Sequence, residues 1–329
     1  MTTNRIRRAL MLLAGTTTTL AAAGLSPIAR AQAFPTKALR FVVPFPAGSA
    51  TDNVARIVAQ AMGEALGQSV AVDNKPGANG ILGAEQVKAA PADGYTMLVT
   101  TNTTQAANVS LYKKLPYDPV KDFTPIGKIG LTGFVLMVRP DFPAANLKDF
   151  LAYGKANPGK LSFGHGSSGS LVSGALLNKM GGIQATSVAY KGIPPALTDL
   201  IGGSLQYAFA DVGNAVAQMK GGKLKGLAVT TPRRASRAPE VPTIAEAGLP
   251  GYEVVAWFGL MAPANLPADV HKKLSDTLMA VLAKPEVREK IAGAGVDPDP
   301  QDAAALARTI DVEIKRWAQW VKDAGIQPE

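Results

Sequence analysis

The sequence predicts an α/β fold in two domains, with strands alternating with helices along each domain. Short apolar or β-branched runs are followed by amphipathic helical runs, a pattern typical of repeated β-α-β units. The 329-residue chain is also longer than a single hydrophobic core usually supports. Its composition, with 47% hydrophobic and 18% charged residues, is that of a well-packed α/β protein.

The first 33 residues are predicted to be an export signal rather than part of the fold. A basic start is followed by a weakly apolar run over 9–25 and by a small-residue cleavage motif at 31–33. The apolar run is too short and too rich in threonine to span a membrane. The exported chain is therefore expected to begin near Phe34. The pair Arg7 and Arg8 leaves both the general secretory and the twin-arginine routes open.

The charge and composition exclude several classes of protein. The predicted signal holds four arginines and no acids, so its removal lowers the formal charge from +9 to +5. This mild charge disfavours nucleic-acid binding, since the one dense basic stretch, 233–237, falls in a predicted loop. The chain has no cysteine, which excludes disulfides and thiolate chemistry. No later run approaches the ~20 apolar residues of a membrane helix.

The first domain is predicted from three strands and the helices between them. Strands are expected at 39–43, 69–72 and 95–99, and helices at 52–66 and 81–90. The first helix carries its apolar residues at helical spacing. Strands connected in this way lie parallel, with the helices on the faces of the sheet.

A long β-rich passage at 123–139, interrupted by glycines, is predicted to cross into a second domain. Alternation then resumes, with helices expected at 147–156, 170–180, 195–201 and 212–219, and strands at 161–163, 185–190, 205–210 and 225–230. A strand over 252–261 is suited to the return crossing. The helical tail, at 268–282, 285–292 and 303–324, is expected to pack on the first domain. The predicted division is 34–130 with 256–329 for one lobe and 131–255 for the other.

Two turns rich in glycine and hydroxyl groups carry the strongest functional signal. The turns 46–51 and 164–170 each follow a strand and precede a helix, so unpaired N–H groups and the positive end of the helix dipole face them. Hydrogen bonds to a charged group contribute about 1.5–3 kcal/mol each, so such turns hold an anion without a cation. Together they predict a small acidic molecule held between the domains. The candidate contacts are Pro46, Ala47, Gly48, Ser49, Thr51, His165, Gly166, Ser167, Ser168, Gly169 and Ser170.

Further candidates follow other strands, because ligands of α/β sheets bind at the carboxyl ends of the strands. The segments 100–105 and 210–214 are either ligand contacts or plain hydroxyl-rich and Asx turns. Lys191 is either the one cation near the cleft or a solvated strand-end lysine. These candidates are Thr101, Asn102, Thr103, Tyr190, Lys191 and Asp211.

Two residues in the glycine-rich turns have competing roles. Asp52 either caps the N–H groups of its helix or faces the cleft, where it favours a ligand with an amino group. His165 either contacts the ligand or packs the loop. The other histidine, His271, begins a helix beside two lysines and is expected to be solvated.

Enzymatic chemistry is poorly represented in the sequence. The segment 164–169 matches G-x-G-x-x-G, but no acid follows before Asp199, and a dinucleotide site needs one about 20 residues on. A Gly-x-Ser-x-Gly elbow is absent and the turns hold no cluster of metal ligands. We therefore predict no enzyme, no cofactor and no metal. An exported enzyme that binds a phosphorylated substrate through the glycine turn is the remaining enzymatic alternative.

Several longer motifs occur in order along the chain after the predicted signal. They lie at 43–52, 74–80, 91–95, 115–126, 190–192, 241–251 and 317–325. In these motifs the chain resembles the Bug (TctC-type) extracytoplasmic solute receptors of tripartite tricarboxylate transporters. The chain departs from the usual family pattern at Ser49, where a second glycine is common, and at His165.

The resemblance implies a two-lobed periplasmic binding protein of type II, or Venus-flytrap, topology. It has two mixed sheets with flanking helices, joined by two crossing strands. We expect ligand binding to shift an equilibrium between open and closed forms about hinges near 127–133 and 253–259. It implies a monomer that binds a di- or tricarboxylate, an acidic amino acid or an aromatic acid and delivers it to membrane permease subunits. The family grips its ligand with the loops that match Phe45 to Thr51 and Gly166 to Ser170. The same fold also permits a receptor that presents its ligand to a sensor protein.

Overall fold

The computed structural model describes residues 34–329, so the predicted export signal lies outside the described residues. The strands are β1 (Leu39–Val43), β2 (Val70–Asn74), β3 (Thr96–Thr101), β4 (Phe123–Thr132), β5 (Phe134–Val138), β6 (Leu161–His165), β7 (Ala185–Ala189), β8 (Tyr207–Asp211), β9 (Lys225–Val229), β10 (Ala256–Pro263) and β11 (Asp297–Asp302). The α-helices are α1 (Ala50–Leu66), α2 (Ile81–Lys88), α3 (Asn108–Leu111), α4 (Leu147–Ala156), α5 (Ser168–Gly181), α6 (Ile193–Ile201), α7 (Val212–Lys220), α8 (Ala268–Ala283), α9 (Pro285–Gly293) and α10 (Ala303–Asp323). Among these described residues, no helix is long and apolar enough to cross a membrane.

The strands form two mixed sheets, as predicted. The first sheet has six strands in the order β11-β4-β10-β3-β1-β2, and the second has five in the order β7-β6-β8-β5-β9. In the first sheet β1 is parallel to β2 and β3, whereas β10 runs antiparallel to β3 and β4. In the second sheet β6 is parallel to β7 and β8, whereas β5 runs antiparallel to β8 and β9.

The chain passes from the first sheet to the second at Gly133, between β4 and β5. A Cβ atom at Gly133 would lie 2.5 Å from Cγ2 of Thr231, so a side chain does not fit there. The predicted β-rich passage at 123–139 is therefore two strands in different sheets. The lobe boundaries at 130–131 and 255–256 stay a prediction.

The return crossing differs from the prediction of one strand over 252–261. Strand β10 begins only at Ala256, because the backbone of Val254 bonds to a threonine outside the strand ladder. The Val254 N–H donates to the carbonyl oxygen of Thr230 over 3.1 Å, and Oγ1 of Thr230 donates to the carbonyl oxygen of Val254 over 2.6 Å. The same Oγ1 accepts from the N–H of Phe134 over 2.9 Å. Thr230, fully buried, thus joins the two crossings.

Some elements were not predicted from the sequence, among them the short helix α3. Strand β11 has the sequence DPDPQD, and proline and aspartate are depleted in strands. It forms because it pairs only with β4, at the edge of the first sheet. The segment 100–105, for which ligand contacts or a plain hydroxyl-rich turn were the alternatives, is not a plain turn: Thr100 and Thr101 end β3, and Thr103–Ala107 form a buried π-helical turn.

The tail helix α10 packs on both halves of the structure. Leu306 and Ile310 belong to a hydrophobic cluster with residues of the first sheet. Trp317 and Val321 belong to another cluster, together with Leu136 and other residues of the second sheet. These four apolar residues are all buried, and they pack on residues of both sheets, whereas the tail was expected to pack on the first domain.

We predict that Thr230→Val destabilises the protein by about 2–3 kcal/mol. Valine keeps the shape of the side chain but leaves the buried Phe134 N–H and Val254 carbonyl without the hydroxyl partner. Urea unfolding followed by circular dichroism measures the change. Thr198→Val is the matched control, because the Thr198 hydroxyl is exposed and bonds only within its own helix. Equal stability of the two variants would contradict the role given to Thr230.

Candidate functional site

The first glycine turn is fixed by a reciprocal cap at the start of α1. Oγ of Ser49 accepts from the N–H of Asp52 over 3.2 Å, and Oδ2 of Asp52 accepts from the N–H of Gly48 over 3.0 Å. Gly48 has a φ of +79°, a left-handed conformation that favours glycine. The turn therefore holds its shape without contributing a charge to the space in front of the helix.

Asp52 is not among the residues that line the first cavity, but its carboxylate accepts from the N–H of Gly48 ahead of the helix rather than from the N–H groups of the helix itself, which Ser49 caps. Its side chain is 3% exposed, forms an ion pair with Arg56 at 2.9 Å and accepts from Nδ2 of Asn74 at 2.9 Å. Burial raises the pKa of Asp52, but the bonds from Arg56, Gly48 and Asn74 outweigh this effect and leave the pKa below its usual value.

The second glycine turn ends in a capping box at the start of α5. Oγ of Ser167 accepts from the N–H of Ser170 over 3.3 Å. Oγ of Ser170 in turn accepts from the N–H groups of Gly166 and Ser167, over 3.0 and 3.1 Å. These bonds leave the first helical amides, those of Ser168 and Gly169, pointing out of the helix end, as at any helix N-terminus.

All three glycines of this turn are required by close approach. A Cβ atom at Gly164 would lie 2.5 Å from Cδ1 of Leu205. A Cβ atom at Gly166 would lie 2.0 Å from the carbonyl carbon of Gly192. A Cβ atom at Gly169 would lie 2.1 Å from Cζ of Phe134. The G-x-G-x-x-G spacing therefore serves packing inside the second sheet, and this explains the weak dinucleotide match.

The starts of α1 and α5 meet at one cavity of about 50 Å³. The predicted contacts that line it are Phe45, Ser49, Thr51, Thr101, Asn102, Thr103, Gly166, Ser167, Ser170 and Asp211. The lining residues that the sequence reasoning missed are Ala50, Thr132, Phe134, Ile193, Phe209, Ala256 and Phe258. Most of these are apolar residues that lie in the crossings or at strand ends. In the sequence, only their position beside the predicted hinges could have indicated that they line the cavity.

Ser168 joins the two halves of the site. Its Oγ lies 2.8 Å from Oγ1 of Thr103 and accepts from Nδ2 of Asn102 over 3.4 Å. All three side chains are buried. Pro46 and Gly192 form a second contact between the two turns. They lie so close that a Cβ atom at Gly192 would be 2.4 Å from Cδ of Pro46. Ser168 and Pro46 thus hold the two turns together, and neither lines the cavity.

His165, Tyr190 and Lys191 line a second cavity, of about 310 Å³, which shares Gly166 with the first. Burial lowers the pKa of His165 to about 4, so its ring is neutral near pH 7. Burial and a 2.6 Å bond to Asp199 raise the pKa of Tyr190 to about 12. Ala47 and Gly48 are exposed on the outer side of their turn.

Asp211 is the one acidic residue among the described residues that line the first cavity. It caps α7: Oδ1 accepts from the N–H of Asn214 over 3.1 Å, and Nδ2 of Asn214 lies 3.0 Å from both carboxylate oxygens. Burial raises the pKa of Asp211, and the bonds from Asn214 offset part of this rise. For Asp211 an Asx-type turn and a ligand-contact position were predicted as alternatives. The structure shows the turn, and it also places Asp211 at the cavity.

The comparisons with known proteins point to one family. The family described as "Tripartite tricarboxylate transporter family receptor" (TctC) matches residues 54–326. Protein BugT of Bordetella pertussis is 31% identical over 309 residues, which cover 93% of this chain and 95% of BugT.

Two solved structures are similar to this chain over nearly its whole described length. The structure described as R. palustris Rpa4515 with adipate has a TM-score of 0.88 and 34% identity, and the match covers 90% of this chain and 100% of that one. MatC (Rpa3494) from Rhodopseudomonas palustris with bound malate has a TM-score of 0.82 and 36% identity, over 88% and 100% of the two chains.

The lowered pKa of Asp52 predicts a specific dependence of stability on pH. A carboxyl group whose pKa falls on folding stabilises the protein above its unfolded pKa of about 3.8 and loses this effect as the pH falls through the folded value. We expect Asp52→Asn to lower the free energy of unfolding by about 1–3 kcal/mol at pH 7, and the difference to shrink below about pH 4. Urea unfolding across this pH range measures it.

The control is Asp149→Asn. Asp149 has the same place in the first turn of α4, where its N–H donates to Oδ1 of Asn146, but it is exposed. If the loss of unfolding free energy caused by Asp52→Asn stays constant down to pH 2, the charge of Asp52 contributes nothing to the cap.

Proposed function

The chain belongs to the tripartite tricarboxylate transporter receptor family, of the Bug (TctC) type, and from this premise we propose that it captures a small carboxylate in the first cavity. We further propose that it is exported to the periplasm, acts as a monomer and delivers the ligand to the permease subunits of such a transporter. It performs no chemistry on the ligand.

One observation carries the proposal: the starts of two helices that pack on different sheets line the same small cavity. The amides of Ala50 and Thr51, which line the cavity, have no intrahelical acceptor and are free to donate to an anion. Thr51, Ser167 and Ser170 bring hydroxyl groups to the same cavity. Each hydrogen bond to a carboxylate contributes about 1.5–3 kcal/mol, and a partly buried helix end adds up to ~2 kcal/mol. The two amides, the dipole of α1 and one of these hydroxyl groups together support micromolar binding after desolvation costs.

The lining of the cavity supports binding rather than catalysis. Among the described residues that line it, Asp211 is the only side chain with an acid or base function, and Asn214 already donates to both of its oxygens. General acid–base chemistry needs a group free to exchange a proton with the substrate. The adipate and malate bound by two similar proteins support a small carboxylate as the ligand class.

Ligand capture is proposed to shift an equilibrium between open and closed arrangements. The contacts of Ser168 with Thr103 and of Pro46 with Gly192 exist only while the two turns are together. A carboxylate that receives N–H groups from both helix starts stabilises this closed arrangement. The crossings at 127–133 and 253–259, joined through Thr230, are the proposed hinges. A permease can then distinguish loaded from empty receptor by its shape.

A ligand screen tests the proposal. Residues 34–329, unfolded and refolded to remove any bound ligand, are screened by thermal shift against mono-, di- and tricarboxylates, amino acids and aromatic acids. We expect at least one acid to stabilise the protein, by about 2.7 kcal/mol at a concentration of 100 Kd. If no acid raises the melting temperature while circular dichroism shows a folded protein, the proposed function is wrong.

We predict that Gly192→Ala weakens binding of any such acid by hindering closure. The new Cβ would meet Cδ of Pro46 at 2.4 Å, whereas the extended backbone of Gly192, with φ 176°, accepts alanine. The free energy of unfolding without ligand should change little, but small-angle scattering should show less compaction on addition of the acid. Gly293→Ala is the control, because a Cβ atom there meets nothing within 4 Å. Normal affinity and compaction in Gly192→Ala would remove this contact from the closing mechanism.

A further inference from the structure

Strand β10 connects the first cavity with a buried tryptophan beside helix α10. Ala256 and Phe258 line the cavity, whereas Trp257, which lies between them in the strand, is not among its lining residues. Successive side chains of a strand point to opposite faces of the sheet. Trp257 is 3% exposed and belongs to the hydrophobic cluster that contains Ile310 of α10. The strand segment at the proposed ligand site is therefore also the segment that packs on α10.

The indole N–H of Trp257 is buried and has no hydrogen-bond partner among the described residues. An indole nitrogen only donates, and a buried donor without an acceptor loses its hydration uncompensated. Trp317, by contrast, donates from Nε1 to Oε2 of Glu313 over 3.1 Å. Buried polar groups in folded proteins are nearly always paired. The unpaired N–H of Trp257 therefore indicates that it finds its acceptor in a different arrangement of the chain.

Glu313 of α10 is the acceptor beside this N–H. Its side chain is buried, Oε1 accepts from Nη1 of Arg316 over 2.6 Å, and Oε2 accepts from Trp317. A carboxylate has about four acceptor positions, so room remains for further donors. Burial raises the pKa of Glu313, and Arg316 and other neighbours, Trp257 among them, offset part of this rise. Trp257 thus lies close to the carboxylate although no hydrogen bond joins the two.

The ladder next to Trp257 is irregular at the first proposed hinge. Strand β10 pairs with Gly130 and then with Lys128 of β4, and it skips Ile129. Strand β11, on the other edge of β4, is irregular at the same place. An irregularity of this kind bends a strand and increases its local twist. Trp257 pairs with Leu131, directly beside this point, so bending there changes the position of the indole relative to α10.

We infer that Trp257 and Glu313 form a latch at the hinge, in which the indole N–H donates to the carboxylate in the open arrangement and is released when the two turns meet. The latch stabilises the open form, so it lowers the closed, binding-competent fraction and with it the apparent affinity for the ligand. Both are positioning residues, because neither lines the first cavity. The inference rests on the open and closed arrangements of the proposed function, but not on which acid is bound.

A disulfide across the two turns tests the latch without a ligand. Oγ1 of Thr103 and Oγ of Ser168 lie 2.8 Å apart, and the chain has no cysteine of its own. Thr103→Cys combined with Ser168→Cys is therefore expected to lock residues 34–329 in the closed arrangement when oxidised. The three tryptophans give three indole N–H signals in a ¹⁵N spectrum, which Trp→Phe substitutions assign.

We expect the indole proton of Trp257 to resonate at the downfield position of a hydrogen-bonded N–H in the reduced protein. It should move upfield on oxidation, because the closed arrangement leaves this N–H unpaired. The same chemical shift in the reduced and oxidised proteins, with the disulfide confirmed by mass spectrometry, would overturn the inference, since the N–H would then have the same surroundings in both arrangements.

Trp257→Phe removes the N–H and keeps an aromatic ring at the hinge. We expect the ligand-free variant to be more compact than the wild type in small-angle scattering, because only the open form loses a hydrogen bond. Its affinity for an acid found by the ligand screen should rise by about three- to tenfold. Trp320→Phe is the matched control, because it removes an indole from α10 and not from the hinge strand. A scattering curve of folded Trp257→Phe that superposes on that of the wild type would overturn the inference.

Glu313→Gln keeps the test possible if Trp257→Phe does not fold. Glutamine keeps the shape of the side chain, but its neutral oxygen accepts a weaker hydrogen bond than a carboxylate does. We expect the ligand-free variant to become more compact, to a smaller extent than Trp257→Phe. Glu246→Gln is its control, because Glu246 also pairs with an arginine, Arg234, but is exposed. If Glu313→Gln and Glu246→Gln scatter alike, Glu313 is not part of a latch.

The outcomes separate the latch from the proposed function. If no acid stabilises the protein but Trp257→Phe makes the ligand-free protein more compact, the latch stands and the proposed function is wrong. If an acid binds and Trp257→Phe changes neither compaction nor affinity, only the inference is wrong.

Discussion

The structure depends on one physical constraint: the starts of α1 and α5, from different sheets, must meet at one shared space. The N-caps Ser49 and Ser167 accept from the N–H groups of Asp52 and Ser170, and the amides of Ala50 and Thr51, which line this space, are left to a ligand. Asp52, the one acid in the first turn of α1, is bound to Arg56 and Asn74 behind the helix. The charge that would repel an anion is thereby held away from the cavity.

Because the two helices belong to different sheets, the site is complete only when both turns meet. Gly133 and Thr230 determine how the chain crosses between the sheets, and Ser168 contacts Thr103 where the turns join. In the proposed function binding and shape are therefore coupled without a dedicated switch: Pro46 and Ser168, which hold the two turns together, are next in sequence to Phe45 and Ser167, which line the cavity. A receptor that reports its loaded state to a membrane protein requires this coupling.

The sequence predicts those features that local patterns encode. Period-two and helical spacing predict nearly all helices and strands, and the two turns are recognisable because caps and glycines occupy fixed positions. The sequence does not predict the features that depend on tertiary contacts. Strand β11 forms despite its prolines because β4 offers a free edge, and Val254 leaves the ladder because Thr230 binds its backbone. The apolar residues that line the cavity were missed because Phe134, Phe209 and Phe258 have the pattern of ordinary core residues in strands.

The most direct measurement of the central claim is an NMR titration of ¹⁵N-labelled residues 34–329 with sodium acetate, and in parallel with acetamide. If the helix starts hold the carboxylate, the amide resonances of Ala50, Thr51, Ser167 and Ser170, which line the first cavity, shift most with acetate and do not shift with acetamide. Larger acetate-dependent shifts at Lys191 and His165, with the helix starts unchanged, would contradict the account and place the anion in the second cavity.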